Sequence, residues 1–393
     1  MSEIIPVTIL RPEILLSLLF GILFVGIAVY ARAVPQGGQR WWIAAVVLVG
    51  LLILAFQIKS GLIRTLLLDG AVFAAVALVW TGDNPQAKQA ASVYLVMALA
   101  ATLCVTIALV LTGELFGAEG TRPAYPFDQI VVVLLLVGFA IKLAFIPLYF
   151  WLPNVASSSS PMTTALIVAT LDIAEFSELL ILRSSLPWVF DEHFGLWLTI
   201  ALLSMFGGAL LALAQRDLKR MLAFSTIDDM GYLLIGVLAG TQIGFTGAFL
   251  GMLSHGIFKD ILFGAVGVAE QGRGKSITLS ERGLAASYPI SSAAFIIAAL
   301  GFLGIPPMFG FLGRWRLYLS GLQIGGLALG IAMAAATALA LFYYVCAIHR
   351  VWLGQPSDEK ISTEPKQAAA VLVALVVLAL ILGLFPSLLV GGI

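Results

Sequence analysis

The chain has 393 residues, of which 61% are hydrophobic and 11% charged, with 21 basic and 21 acidic side chains. Soluble domains carry about 25% charged residues, so the composition excludes a water-soluble protein and points to a bilayer. The zero net charge gives no basis for nucleic acid as a partner, and Cys104 and Cys346 have neither disulfide nor metal spacing.

The three histidines are scattered, and no glycine-rich phosphate loop follows a strand pattern. No nucleotide, flavin, haem, iron–sulfur or metal site is therefore expected on this chain. A membrane-spanning helix needs about 20 mostly apolar residues. Twelve such stretches occur, at 13–31, 41–58, 62–80, 90–112, 128–150, 161–183, 193–214, 219–239, 244–269, 289–312, 318–348 and 367–390. The expected fold is an all-α polytopic membrane protein. The first run precedes Ala31-Arg32-Ala33, which looks loosely like a cleavage site. Its leader is acidic, with Glu3 and Glu13 beside Arg11, so it reads as a retained transmembrane helix. Lysine and arginine are denser in the links after odd-numbered spans, among them Arg32, Arg40, Lys88, Lys219, Arg220 and Arg273. That bias predicts both termini outside the cytoplasm.

The central stretch, 138–161, reads GFAIKLAFIPLYFWLPNVASSSSP. Lys142 lies about 12 residues into its apolar run, roughly 18 Å at 1.5 Å per residue. That is too deep for easy snorkelling. Pro147 and Pro153 follow, and proline removes a backbone donor and clashes with the preceding turn. A broken helix is expected here, and an ionisable group beside such a break is a functional candidate.

Other charges also fall inside spans. Asp69 lies in the third; Asp172, Glu175 and Glu178 recur every three residues along one stripe of the sixth. The eighth carries Asp228 and Asp229, to which no role is assigned. The ninth holds His255, Lys259 and Asp260, and the tenth ends near Arg314 and Arg316. A charge at the bilayer centre costs about 2.5–3.5 kcal/mol on insertion scales, so partners or water are expected. Alternating acids and bases on successive helices are the form a proton relay takes. A second broken apolar span, 300–316, contains Pro306 and Pro307. Paired breaks predict two inverted repeats, each with a broken helix. Asp217, Lys219 and Arg220 read equally as a structural cluster or a proton-uptake site. Trp41, Trp42, Trp188 and Trp352 read as interfacial anchors, the serines at 157–160 as a helix cap, and Gly207-Gly208 as a close-packing site.

These residues resemble the antiporter-like, proton-conducting membrane subunits of respiratory complex I, a family shared with multisubunit sodium/proton antiporters and membrane-bound hydrogenases. The resemblance is carried by Lys142, Pro147 and Trp151-Leu152-Pro153. It continues in Asp217-Leu218-Lys219-Arg220-Met221-Leu222-Ala223-Phe224-Ser225, in Ser254-His255-Gly256-Ile257-Phe258-Lys259, and in Gly304-Ile305-Pro306-Pro307 with Gly310-Phe311-Leu312-Gly313. It covers about 60–350, which would make 1–60 N-terminal helices, 61–350 the translocating core and 351–393 a C-terminal helix. The resemblance implies a proton relay through Asp69, Lys142, Asp172, Glu175, His255, Lys259 and Arg314. Lys142 would be its central lysine, paired with Asp69. Family members usually have more helix before the position of Asp69, a lysine or histidine at that of Asp172, and a lysine or glutamate at that of Arg314. Arginine stays protonated, so Arg314 cannot release a proton as lysine can. The implied function is a proton-translocating subunit of a complex I-like NADH-quinone oxidoreductase in a prokaryotic cell membrane. NADH, quinone and iron–sulfur clusters would be held by partner subunits. Two alternatives stand beside it. One is a sodium/proton antiporter or membrane-bound hydrogenase subunit, motivated by the extra acids. The other is a non-conducting scaffold, motivated by Asp172 and Arg314.

Overall fold

In hydrocarbon, backbone polar groups have no water to bond, so an apolar run must satisfy them internally as a helix. The computed structural model describes residues 11–58, 60–116, 121–355 and 363–389. Its α-helices are, in order, α1 (Pro12–Ala33), α2 (Gln39–Gln57), α3 (Gly61–Trp80), α4 (Pro85–Leu111), α5 (Phe127–Lys142), α6 (Trp151–Ser158), α7 (Pro161–Leu166), α8 (Asp172–Ser185), α9 (Pro187–Asp191), α10 (Phe194–Leu213), α11 (Leu218–Ala239), α12 (Gln242–Arg273), α13 (Pro289–Phe302), α14 (Gly310–Ala347) and α15 (Lys366–Leu384). Glu3, and those parts of the expected units 1–60 and 351–393 beyond these ranges, lie outside the described residues.

Among the described residues, nine helices are long and apolar enough to cross a membrane: α1 to α4, α10 to α12, α14 and α15. They correspond to nine of the twelve expected spans. The other three, 128–150, 161–183 and 289–312, are the ones whose helices are interrupted. The chain is thus a polytopic, all-helical membrane protein, and its interrupted crossings are the ones that carry Lys142 and the stripe of acids.

The first interruption differs from the expected span. Helix α5 stops at Lys142 and does not run on to 150. In the gap Ala144 has φ 51°, and the Ile146–Pro147 bond is cis. The freed polar groups are covered by protein. Trp151 Nε1 donates to the Ile141 carbonyl at 2.9 Å, and the Ile146 N–H donates to Ser204 Oγ at 3.0 Å. The Trp151 ring stacks on Tyr94 with centroids 4.3 Å apart. Pro153 breaks nothing: it sits in the first turn of α6, where its missing N–H would have no helical partner. Helix α7 is capped by Ser160, whose Oγ accepts from Thr163 N at 3.4 Å. A π-helical turn, Ile167–Leu171, then leads directly into Asp172 at the start of α8.

The second interruption separates α13 from α14, with Gly304 at φ 83° and a cis Pro306–Pro307 bond. The tenth crossing does not end near 312. It continues along α14 to Gly326, where φ 58° and ψ −157° reverse the chain. The two arms are held by Tyr232 and Tyr318, whose hydroxyls donate to the Met333 carbonyl at 2.6 and 3.3 Å. Arg314 therefore lies within a crossing and not at its end.

One end of the bundle gathers the links near 36, 84, 158 and 217. Gln36 Oε1 accepts from Met162 N at 3.1 Å, Asn84 Nδ2 donates to the Ser158 carbonyl at 3.2 Å, and Leu218 N donates to the Ile277 carbonyl at 2.9 Å. Lys219 is buried there, pairing with Glu270 at 3.2 Å and donating to the Ser159 carbonyl at 2.9 Å. At the other end Arg122 pairs with Asp128 at 2.9 Å and with Glu192 at 2.6 Å. Two of the expected tryptophan anchors are instead core residues. Trp41 is 1% exposed and donates to Thr163 Oγ1, and Trp352 is 0% exposed.

Helices α10 and α11 touch backbone to backbone at Gly208, where a Cβ would lie 2.4 Å from Asp228 N. Gly208→Val should therefore destabilise by about 1–3 kcal/mol or more through overpacking. Gly195→Val, at a site with nothing within 4 Å, should be neutral. Thermal unfolding in detergent separates the two. Equal melting temperatures would show that α10 can move away from α11 without loss.

Candidate functional site

A lysine ending a helix faces carbonyls that have no further N–H to meet, and the negative end of the helix dipole favours a cation there. Lys142 is the last residue of α5. Its side chain meets three carboxylates, two on α8 and one on α3. Nζ lies 2.6 Å from Glu175 Oε2, 3.4 Å from Glu178 Oε2 and 3.6 Å from Asp69 Oδ1. Glu175 and Glu178 share one helical face by their spacing. Thr102, on α4, donates to Asp69 Oδ1 at 3.0 Å. Lys142 is 8% exposed, Asp69 6%, Glu175 1% and Glu178 3%. A cavity of ≈ 10 Å³ lies against Lys142, Glu175, Thr102 and Tyr94. That volume suits about one water, and Glu175 Oε1 has no hydrogen-bond partner among the described residues.

Asp172 lies one turn before Glu175 on α8, directly after the π-helical turn, and is 3% exposed. Helices α8 and α12 pack against each other, with Ser177 Oγ 3.6 Å from Met252 Sδ, but no direct hydrogen bond joins Asp172 to Lys259 among the described residues. Lys259, on α12, is fully buried. Its Nζ donates to the Leu222 carbonyl at 2.8 Å and to Ser225 Oγ at 2.5 Å, and sits 4.5 Å from the centroid of the Phe302 ring. Ser225 in turn lies 3.1 Å from the Tyr344 hydroxyl.

One turn along α12, His255 Nδ1 bonds Asp229 Oδ2 at 2.8 Å. The other oxygen, Oδ1, accepts from Arg314 Nη2 at 2.7 Å. The same Nη2 donates to the Phe302 carbonyl at 3.3 Å, where α13 breaks off, and the guanidinium lies 4.0 Å from the centroid of the Tyr232 ring. Asp228 accepts from the Tyr343 hydroxyl at 3.1 Å. Helix α11 thus presents Ser225 and Asp229, four residues apart, to Lys259 and His255, four residues apart on α12.

The structure brings all seven expected residues inside the protein, in two groups. Asp69, Lys142 and Glu175 form the first, and His255, Lys259 and Arg314 line the second. Asp172 stands between them. The main partner of Lys142 is Glu175 and not Asp69, which is 1.0 Å farther away (3.6 against 2.6 Å). Of the expected helix breaks, Pro147, Pro306 and Pro307 lie in interruptions, and Pro153 does not. Sequence reasoning passed over two residues. Glu178 had the right spacing but was left out of the relay. Asp229 was assigned no role, although it falls one turn after Ser225 on the same face. Asp260 faces away from both groups, toward Tyr30, Met162 and Leu372 on other helices.

Buried acids and bases from successive helices converge on two interrupted crossings of a polytopic membrane protein. A sequence profile of the family described as NADH:quinone oxidoreductase/Mrp antiporter, transmembrane, matches residues 66–340, and the chain belongs to that family. It is 30% identical over 343 residues to NADH-quinone oxidoreductase subunit N of Geotalea uraniireducens, covering 83% of this chain and 72% of that protein. Over 244 residues it is 32% identical to subunit N of Salinibacter ruber, covering 60% of this chain and 48% of the relative. The chain thus spans about half the length of several curated relatives. Its fold matches a chain in the structure of the Mrp complex from Dietzia sp. DQ12-45-1b, with TM-score 0.86, 21% identity, 96% of this chain and 82% of that one covered. It also matches a chain of respiratory complex I from Thermus thermophilus with bound NADH, with TM-score 0.83, 23% identity, 95% and 81% covered.

Asp229 neutralises Arg314 and orients His255, so Asp229→Asn should leave a buried guanidinium without its anion. Breaking a buried pair costs about 3–5 kcal/mol. The double variant Asp229→Asn with Arg314→Met should recover part of that loss. Thermal unfolding of the three proteins checks it, and a double variant no better than Asp229→Asn would exclude the pairing as the cause.

Proposed function

We propose that this chain is a proton-translocating membrane subunit of a multisubunit complex of the NADH-quinone oxidoreductase type, with electron transfer confined to partner subunits. The observation that carries the reading is the ammonium of Lys142 facing three carboxylates from two other helices at a helix break. One ammonium balances one carboxylate. The other two carboxylates face the same ammonium in a region without bulk water, where an uncompensated charge is costly. The charges in such a cluster are coupled. A change in the charge of one member shifts the proton affinity of the others, and a coupled redox reaction can exploit that shift.

In this reading a proton is exchanged among Asp69, Lys142, Glu175 and Glu178, passes to Asp172, and reaches Lys259 through the intervening gap. Lys259 is bonded to a carbonyl and a hydroxyl, with no carboxylate within ion-pair distance among the described residues. It can therefore give up a proton without abandoning an anionic partner. His255 and Asp229 continue the line toward Arg314. Arg314 keeps its proton, so it ends the line as a fixed charge held by Asp229.

Lys142→Ala in the assembled, reconstituted complex should cut protons moved per electron while electron transfer continues. A stoichiometry at the unaltered level would sink the relay. Glu175→Gln should reduce pumping more than Asp69→Asn, because Glu175 is the nearer partner.

A second reading, sodium/proton exchange without redox, is favoured by the same excess of carboxylates, which are hard oxygen ligands for such a cation. Vesicles holding the complex but no electron donor decide between the two. Sodium-driven acidification or alkalinisation, lost in Glu178→Gln, would support exchange over redox coupling.

A further inference from the structure

On the outer face of α2, α3 and α4 an apolar groove of ≈ 580 Å³ opens beside Ile43, Val47, Phe73 and Ala77. At one end it meets a second, polar cavity of ≈ 460 Å³, and the two share Arg40, Trp80 and Thr81. The polar cavity is also lined by Lys88 and Asp83. Arg40 and Lys88 are exposed, and neither makes an ion pair among the described residues. Gly38 and Gln39, at the N-terminus of α2, line this mouth as well, and no side chain caps that helix. Free backbone donors and the positive end of a helix dipole thus add to the two cations. Helix α4 begins beside it at Pro85.

We propose that this composite site holds an anionic diacyl phospholipid. The groove takes an acyl chain, and the mouth takes the phosphodiester between Arg40, Lys88 and the start of α2. Three features select this ligand. The apolar volume falls in the range of small-molecule sites but has almost no polar lining, so hydrocarbon fits and a soluble solute does not. The polar mouth lies only at the helix ends, at the level where a headgroup sits, with the Trp80 indole at the boundary as expected for an aromatic at a membrane interface. Two cations and a helix N-terminus against the single acid Asp83 leave the mouth positive, which selects an anionic over a zwitterionic headgroup.

Native mass spectrometry of the full chain in mild detergent, together with whatever subunits co-purify, tests this with phosphatidylglycerol and phosphatidylcholine in equal amounts. A basic side chain near an anionic lipid surface contributes several-fold in affinity. With Asp83 opposing, retention should favour phosphatidylglycerol by roughly tenfold. Arg40→Gln with Lys88→Gln should bring the ratio to about one, while Arg282→Gln, an exposed charge outside the site, leaves it unchanged. Ala77→Trp, which fills the groove, should lower retention of both lipids. Glycerol phosphate alone should not bind. Equal retention of the two lipids by the unaltered protein, an unchanged preference in the double variant, or binding of glycerol phosphate as firm as that of the lipid would overturn the proposal. So would photo-crosslinking from position 77 to a co-purifying protein helix instead of to lipid.

Discussion

Everything in this protein depends on one constraint: Lys142 must be paired within the membrane, and the helix that carries it ends there. The two facts support each other. A continuous helix would use the carbonyls of its last turn in further hydrogen bonds. By stopping at Lys142, α5 places its negative dipole end there, which favours an ammonium, while the Phe139 and Ile141 carbonyls still accept from Leu143 and Ala144 N–H. The break then needs its own cover, and Trp151 and Ser204 supply it by bonding the Ile141 carbonyl and the Ile146 N–H. Only after those backbone groups are met can three carboxylates crowd round a single amine without water flooding the site.

The second group is built on a different cation. Arg314 has a ring beneath its guanidinium at 4.0 Å and, through Nη2 alone, a carboxylate at 2.7 Å. The ring contact uses a property lysine lacks, a planar face that stacks. Lys259, by contrast, is bonded to neutral oxygens only. One positive charge is therefore locked and the other loosely held, with Asp229 and His255 between them. In the proposed relay this asymmetry sets a direction that two interchangeable lysines would not.

The outside of the bundle follows separate rules. Its lipid face is apolar because the solvent there is hydrocarbon, and the charges retreat to the helix ends. At the end that gathers Arg40 and Lys88, groove and mouth meet in one amphiphilic surface. The interior line of acids and bases and this exterior site share helices α3 and α4, which carry Asp69 and Thr102 inward and Trp80 and Lys88 toward lipid and headgroup.

The membrane class, the crossings and the burial of Asp69, Lys142, Asp172, Glu175, His255, Lys259 and Arg314 were legible in the chain. Each follows from a local cost: unbonded backbone in hydrocarbon, or a charge in the bilayer, can be recognised one segment at a time. The pairing was not legible. Glu175 rather than Asp69 is nearest to Lys142, Asp229 joins His255 to Arg314, and Pro153, expected to break a helix together with Pro147, lies in the first turn of α6. Nor did the pattern place the turn at Gly326, which carries Arg314 into a crossing. Those outcomes depend on how far each helix slides and rotates against others distant in sequence. Spacing along one helix determines which side chains share a face; only packing between helices determines which face meets which.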